Sequence, residues 1–157
     1  MVQQRMIQTG SRAPEFDLEV DGSRRVRLGD FRDQRNVLLV FHPFAWTSVC
    51  EEEARDLQEN LPSFESADTD VILVSCDSAA ARRAWKEKLG LTYLLASDFW
   101  PHGEAAKAYG VFDDSRGAPV RGTFLIDKDG MVVWSLVNDA DTRRTDLVSG
   151  PLAVSSG

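Results

Sequence analysis

The sequence predicts an α/β fold in which a mixed central β-sheet is flanked by helices and preceded by an N-terminal β-hairpin. Three observations predict it. The runs NVLLVF (36–41) and DVILVSCD (70–77) are nearly unbroken apolar stretches of strand length, as expected for strands covered on both faces. A stretch with helical spacing follows each run, giving strand–helix–strand units. Two further strand-like runs, RGTFLID and MVVWSLV, flank KDG and form a hairpin with Asp129 and Gly130 in the turn.

The elements follow in order. APEFDLEV and RRVRLGDF are short extended segments separated by the turn signal Asp21-Gly22-Ser23, and they make the N-terminal hairpin. Pro43 interrupts the strand NVLLVF. Ser48 and Glu51 have capping-box spacing, so Ser48 is the expected N-cap of a helix with Cys50 in its first turn. Ala54, Leu57 and Leu61 continue the apolar face, and Pro62 marks the expected end. SAAARRAWKEKLG is a helix with Ser78 near its start and Gly90 at its end. TYLLASD is a short strand and GEAAKAYGV a short helix. The remainder, NDADTRRTDLVSGPLAVSSG, reads as a weak helix broken by Gly150-Pro151 and then a polar end. The 157 residues are expected to form one domain. Its ordered core should run over about 8–148, with 149–157 as a C-terminal tail.

Composition narrows the function classes. At 43% hydrophobic and 27% charged, the chain can bury a core without disulfides or a structural metal. A net charge of −7 argues against a nucleic-acid partner, which requires clustered cations. The short basic clusters (Arg24, Arg25 and Arg27; Arg82 and Arg83; Arg143 and Arg144) read as solvated faces. The first dozen residues lack the apolar stretch of a signal peptide, and no run is long enough to span a membrane. The expected location is therefore cytoplasmic, with no membrane partner and with Cys50 and Cys76 as reduced thiols. His42 and His102 lack the spacing to complete a zinc site with them, so no metal is expected.

The chemistry concentrates in HPFAWTSVCEEE, residues 42–53. A thiolate, not a thiol, is the reactive form, and an ordinary thiol is only a few per cent ionised at neutral pH. Amides at a helix start favour the anion by roughly 0.3–2 kcal/mol, but Glu51, Glu52 and Glu53 oppose it. If Cys50 is a nucleophile, a cation must come from elsewhere in the chain. The competing reading is a buried, inert cysteine at a strand–helix junction.

Pro43, Thr47 and Cys50 form a Pro-x-x-x-Thr-x-x-Cys pattern directly after an apolar strand. With GSRAPEFDL, VILVSCDS and RGTFLIDKDG, the chain resembles the peroxiredoxins, thiol peroxidases of thioredoxin-like fold. SDFWPHGEAAKAYGVF is similar to the one-cysteine, alkyl hydroperoxide reductase E type. The resemblance implies a thioredoxin-like domain that reduces hydrogen peroxide and organic hydroperoxides through a Cys50 sulfenic acid, without cofactor. It implies that Arg121 is the cation, stabilising both the thiolate and the charge developing on the peroxide. Thr47 would donate a hydrogen bond to peroxide or thiolate and accept one from the other. Pro43 would shield the thiol from water, and the amides near Val49 and Cys50 would face the peroxide. Glu53 would orient the arginine, while Glu51 and Glu52 face solvent. An external thiol, or a glutaredoxin-like or thioredoxin-like protein, would recycle the enzyme, which is expected to be a homodimer.

Cys76 matches no family spacing for a resolving thiol and reads as a core cysteine. His42 departs from the aromatic residue usual before the motif proline. It is either a group titrating near the thiol or, as preferred, a packing substitute facing away. Phe44, Trp46, Phe99 and Trp100 are candidates for a pocket lining or a dimer contact, with core packing expected for at least half of them. His102 reads as a capping or packing residue. Two other functions fit the same residues: a peroxide sensor that relays oxidation to a partner, and a thiol–disulfide oxidoreductase. The second is disfavoured because Thr47 stands where a Cys-x-x-Cys pair would need its other cysteine.

Overall fold

The computed structural model describes residues 7–20, 24–138, 144 and 146–155. Its main sheet has seven strands: β1 (Asp17–Glu19), β2 (Arg25–Arg27), β3 (Asn36–Phe41), β4 (Thr69–Ser75), β5 (Leu94–Ser97), β8 (Arg121–Ile126) and β9 (Val132–Asn138). They lie in the order β2-β1-β5-β4-β3-β8-β9. The strands β3, β4 and β5 pair in parallel, whereas β8, β9, β1 and β2 join antiparallel. A two-stranded ribbon of β6 (Phe112–Asp113) and β7 (Ala118–Pro119) stands apart and was not expected from the sequence. Its strands are too short to show a period. The N-terminal hairpin pairs Leu18 with Val26, while the expected turn at Asp21-Gly22-Ser23 lies outside the described residues.

The apolar run of β3 splits by the period of two. Val37, Leu39 and Phe41 enter one core, and Leu38 and Val40 enter the other. The second core is covered by α1 (Ser48–Glu59), α2 (Leu61–Ser66) and α3 (Ala79–Leu89), with Leu152 of α5 (Ser149–Ser155) packed against it. The first is covered by α4 (Glu104–Ala108) and the segment around Ala13 and Phe16. Cys50 belongs to the second core and Cys76 to the first, so the sheet separates them.

Ser78 caps α3 by accepting from the Ala81 amide at 3.2 Å, and Gly90 ends that helix in the left-handed conformation, both as expected. Three expectations are corrected. The N-cap of α1 is Thr47, not Ser48, which puts Cys50 third in the helix. Pro62 does not end the helical region but sits in the first turn of α2, where its missing N–H costs no hydrogen bond. Gly150-Pro151 does not leave a tail, because both residues lie in the first turn of α5. There a proline is tolerated, and a Cβ at position 150 would collide with the Trp134 indole.

Candidate active site

The parallel strand β3 delivers the chain to its carboxyl end, where Pro43 breaks the ladder and the loop turns into α1. In open α/β sheets this is where binding sites collect. Ser48, Val49 and Cys50 occupy the first turn, where backbone amides have no acceptor within the helix. A cleft of about 230 Å³ opens over the turn and is lined by Pro43, Phe44, Thr47, Ser48, Val49, Arg116 and Arg121. Pro43 is buried and Thr47 exposed at its mouth.

Arg121, the first residue of β8, reaches the thiol from the neighbouring strand. Its Nη2 donates to Cys50 Sγ at 3.1 Å and its Nη1 to Glu53 Oε1 at 2.6 Å. Glu53 is three residues beyond Cys50 on α1, and its carboxylate is buried. It is also gripped by Arg144, whose Nε donates to Oε2 at 3.0 Å, Nη2 to Oε1 at 2.8 Å and backbone N to Oε2 at 2.7 Å. The remaining Arg144 nitrogen, Nη1, donates to Thr123 Oγ1 at 2.6 Å and to the Gly122 carbonyl at 3.2 Å. Burial pushes the Glu53 carboxyl up. The hydrogen bonds and charge of Arg144, and then the charge of Arg121, more than offset this, so its pKa lies below the ordinary glutamate range. Two guanidiniums converge on Glu53, and that of Arg121 presents its positive charge directly to the sulfur.

This resolves the acidic cluster. Glu53 faces inward to the arginines, Glu51 pairs with Arg55 at 3.3 Å on the outer face, and Glu52 is exposed. Thr47 differs from expectation: its hydroxyl donates to the Phe44 carbonyl at 3.0 Å, which leaves its lone pairs as acceptors toward the cleft.

His42 also differs. It is buried and stacked on Trp85 at 5.4 Å, in the core that holds Cys50, and Arg82 Nη1 lies 2.9 Å from its Nε2. Burial, then the charges of Arg82, Arg144 and Arg121, hold its pKa well below the usual imidazole range. It is therefore neutral near pH 7 and does not titrate there.

Two arginines that read as solvated faces, Arg82 and Arg144, are fully buried. A signal for Arg82 was present, since Arg82, Trp85 and Leu89 share the i, i+3, i+7 stripe that α3 buries. No local signal marks Arg144, whose partner Glu53 is 91 residues away. Phe44, Trp46, Phe99 and Trp100 are 41%, 49%, 50% and 80% exposed, so core packing is excluded for all four. His102 bridges the carbonyls of Phe99 and Gly117, a packing role as expected. Among the described residues, no three metal-binding side chains converge, and no helix is long and apolar enough to cross a membrane.

A thiol at a helix start, held by an arginine on a neighbouring strand of a thioredoxin-like sheet, is the arrangement of a thiol peroxidase family. The AhpC/TSA family model matches residues 9–135, and the chain belongs to this family of peroxiredoxins. It is 39% identical over 127 residues to alkyl hydroperoxide reductase E of Mycobacterium tuberculosis, covering 81% of this chain and 83% of that one. It is 32% identical over 146 residues to the chloroplastic 2-Cys peroxiredoxin BAS1 of Spinacia oleracea, covering 87% of this chain and 54% of the other. Among solved structures, peroxidoxin BcpB from Mycobacterium tuberculosis matches with a TM-score of 0.86 at 25% identity over 97% of each chain. Plasmodium vivax 2-Cys peroxiredoxin in its reduced form matches at 0.85 and 29% identity, over 94% of this chain and 80% of the other. The expected thioredoxin-like fold is the fold of this chain.

Proposed function

We propose that this chain is a thiol-dependent peroxidase that reduces hydrogen peroxide and organic hydroperoxides by a one-cysteine mechanism. The observation that carries the reading is the contact of the Arg121 guanidinium with Cys50 Sγ, backed by Glu53. Cys50 thiolate attacks one peroxide oxygen. An S–O bond forms, the O–O bond breaks, and the leaving oxygen takes a proton to depart as alcohol or water. Cys50 becomes a sulfenic acid.

Arg121 holds the thiolate in the ground state and meets the charge that develops along the breaking O–O bond. Thr47, its own proton committed to Phe44, accepts from the peroxide hydroxyl and so orients the substrate. The amides of Val49 and Cys50, in the first turn of α1, have no acceptor within the helix and serve as donors to the attacked molecule, while Pro43, which has no amide proton, lines the cleft and shields the thiol from water. Glu53 and Arg144 are positioning residues that fix the Arg121 fork.

The reductant is an external thiol, small or carried on a glutaredoxin-like or thioredoxin-like protein. One equivalent attacks the sulfenic sulfur and expels water; a second reduces the mixed disulfide. The separation of Cys76 across the sheet supports this route. The four exposed aromatics, carried on two loops, suit a homodimer contact, and the reading places the enzyme in the cytoplasm. Stopped-flow mixing with hydrogen peroxide, followed by steady-state turnover with an external dithiol, tests the proposal. Fast single-turnover oxidation with sustained turnover is expected. Oxidation no faster than that of a free thiol would reject it.

A further inference from the structure

Two contacts fix a single peptide unit inside the catalytic loop. The Phe44–Ala45 peptide donates through the Ala45 amide to Asp77 Oδ2 at 2.7 Å and accepts through the Phe44 carbonyl from Thr47 Oγ1 at 3.0 Å. A trans peptide is planar, with its N–H and C=O pointing in opposite directions. Whatever holds the N–H therefore sets the direction of the C=O, and with it the direction of the Thr47 hydroxyl.

Asp77 is itself held by a directional chain of hydrogen bonds. Arg82, buried on α3, donates through Nη1 to Ser75 Oγ and through Nη2 to the Leu73 carbonyl at 2.7 Å. Ser75 Oγ, occupied as an acceptor, turns its own proton to Asp77 Oδ2 at 2.6 Å. Arg82 Nη1 also meets His42 Nε2 at 2.9 Å, and a guanidinium can only donate, so Nε2 is the acceptor. One buried cation thus grips the loop at its entry, His42, and through Ser75 and Asp77 at Ala45. The loop needs these anchors, because Trp46, the next residue, has φ of +69°. A non-glycine residue held there is strained and persists only when its surroundings impose it.

We propose that Asp77, buttressed by Ser75 and Arg82, is a positioning residue for peroxide reduction that aims the Thr47 hydroxyl through the Phe44–Ala45 peptide plane. The inference rests on the proposed peroxidase reading, in which Thr47 receives the peroxide. It separates orientation of the substrate from ionisation of the thiol, which belongs to Arg121, Glu53 and Arg144.

The test uses the full chain in a Cys76→Ser background, so that Cys50 is its only thiol. Two rates are measured for each variant: oxidation by hydrogen peroxide, which needs Thr47, and alkylation by iodoacetamide, which needs only an accessible thiolate. Rapid oxidation of the parent and a slow Thr47→Val variant establish the underlying reading; failure there overturns that reading first. Asp77→Ala should slow peroxide oxidation about 10-fold or more, because a misplacement of about 1 Å costs up to about 100-fold. Its alkylation should change less than about 2-fold on the same argument, since the thiolate is untouched. Asp77→Asn keeps an acceptor oxygen and should restore most of the rate. In a Thr47→Val background Asp77→Ala should have no further effect, since the two act as one unit. Parallel loss of both rates, an equal loss in the Thr47→Val background, or no rescue by asparagine would each overturn the proposal. If Asp77→Ala fails to fold, Ser75→Ala decides: it removes only the linking hydroxyl and must show the same split between the two rates.

Discussion

Cys50 and Cys76 are both buried, with exposures of 2% and 6%, and each lies just beyond the carboxyl end of a central parallel strand. Their surroundings have opposite sign. Cys50 receives a hydrogen bond from the Arg121 guanidinium and sits at a helix start. For Cys76, burial first, then the charges of Asp98 and Asp77, push the thiol up to about 12. At neutral pH it is a small hydrophobe in the core beside α4. Exposure does not distinguish the two thiols; the sign of the nearest fixed charge does, and on that ground Cys50 is the proposed nucleophile.

The largest effect expected from breaking this contrast is that of Cys50→Ser, which should abolish peroxide consumption altogether. Next is Arg121→Met, which keeps the length of the side chain and removes the charge. It should slow oxidation by Cys50 about 100- to 1,000-fold, the usual cost of losing a preorganised charge partner. The loss should persist at a pH high enough to ionise any thiol, because Arg121 also acts in the transition state. Stopped-flow rates across pH check this. If the variant recovers fully at high pH, Arg121 serves the thiolate alone.

Arg144→Met removes the grip on Glu53 from one side and leaves the Arg121 guanidinium still paired with it. A smaller kinetic loss is expected, about 10-fold, because the effect passes through Arg121's orientation. The accompanying loss of stability should be about 3 kcal/mol, since a buried carboxylate loses half of its compensation. Urea denaturation measures it; a variant as stable as the parent would mean that Glu53 does not need both arginines.

The position of Arg144 marks where the sequence stopped being readable. The local sequence marks Cys50 only as a thiol at a helix start, either nucleophile or inert, and Pro43 and Thr47 take their roles from the motif that the family resemblance carries. Glu53 is likewise read as orienting an arginine through that resemblance, and the helix places it one turn from Cys50. Arg121 was located only through a family resemblance, and the structure puts it where the electrostatics required a cation. Arg82 and Arg144 looked like halves of solvated double arginines. Their burial depends on compensation by groups brought near by the fold, Glu53 for one and Ser75, His42 and Leu73 for the other. No local pattern encodes such pairing. The helical stripe on α3 would have revealed Arg82 had the charge not argued against it.

His42 sharpens the contrast through pH rather than rate. Its folded pKa is depressed, by burial first and then by Arg82, so the unfolded chain takes up a proton below about pH 6.5 that the folded protein refuses. Its stabilising contribution is therefore present above about pH 6.5 and is lost as pH falls toward the folded value, with a slope of up to ~1.4 kcal/mol per pH unit. Asp98, raised to about 6 by burial, works in the opposite direction between about 6 and 3.8. The clean observable is thus a difference: the thermal midpoint of the wild type should fall more steeply below pH 6.5 than that of His42→Phe. Parallel profiles would show that His42 is protonated in the fold.

The smallest expected effect is that of Cys76→Ser, and it is the most searching for the mechanism. An internal disulfide would require the two Cα atoms within roughly 7 Å and converging Cβ vectors. The sheet lies between the thiols, with Cys50 on the buried face of α1 in one core and Cys76 in the opposite core. Bridging would mean dismantling the end of β4, whose side chains are interlocked on both faces. Nor is Cys76 a competent attacker, since a thiol raised to about 12 supplies almost no thiolate at neutral pH. One equivalent of peroxide should therefore add one oxygen to the monomer, in a form that a sulfenic-acid trap captures, and excess peroxide should carry it to the sulfinic acid. Cys76→Ser should change the oxidation rate by less than about 2-fold and leave the same product, because its thiol takes no part in the step. Intact-mass analysis of both proteins decides it. Loss of two hydrogens in the parent but not in the variant would make Cys76 the resolving thiol and remove the need for an external reductant in the first recycling step.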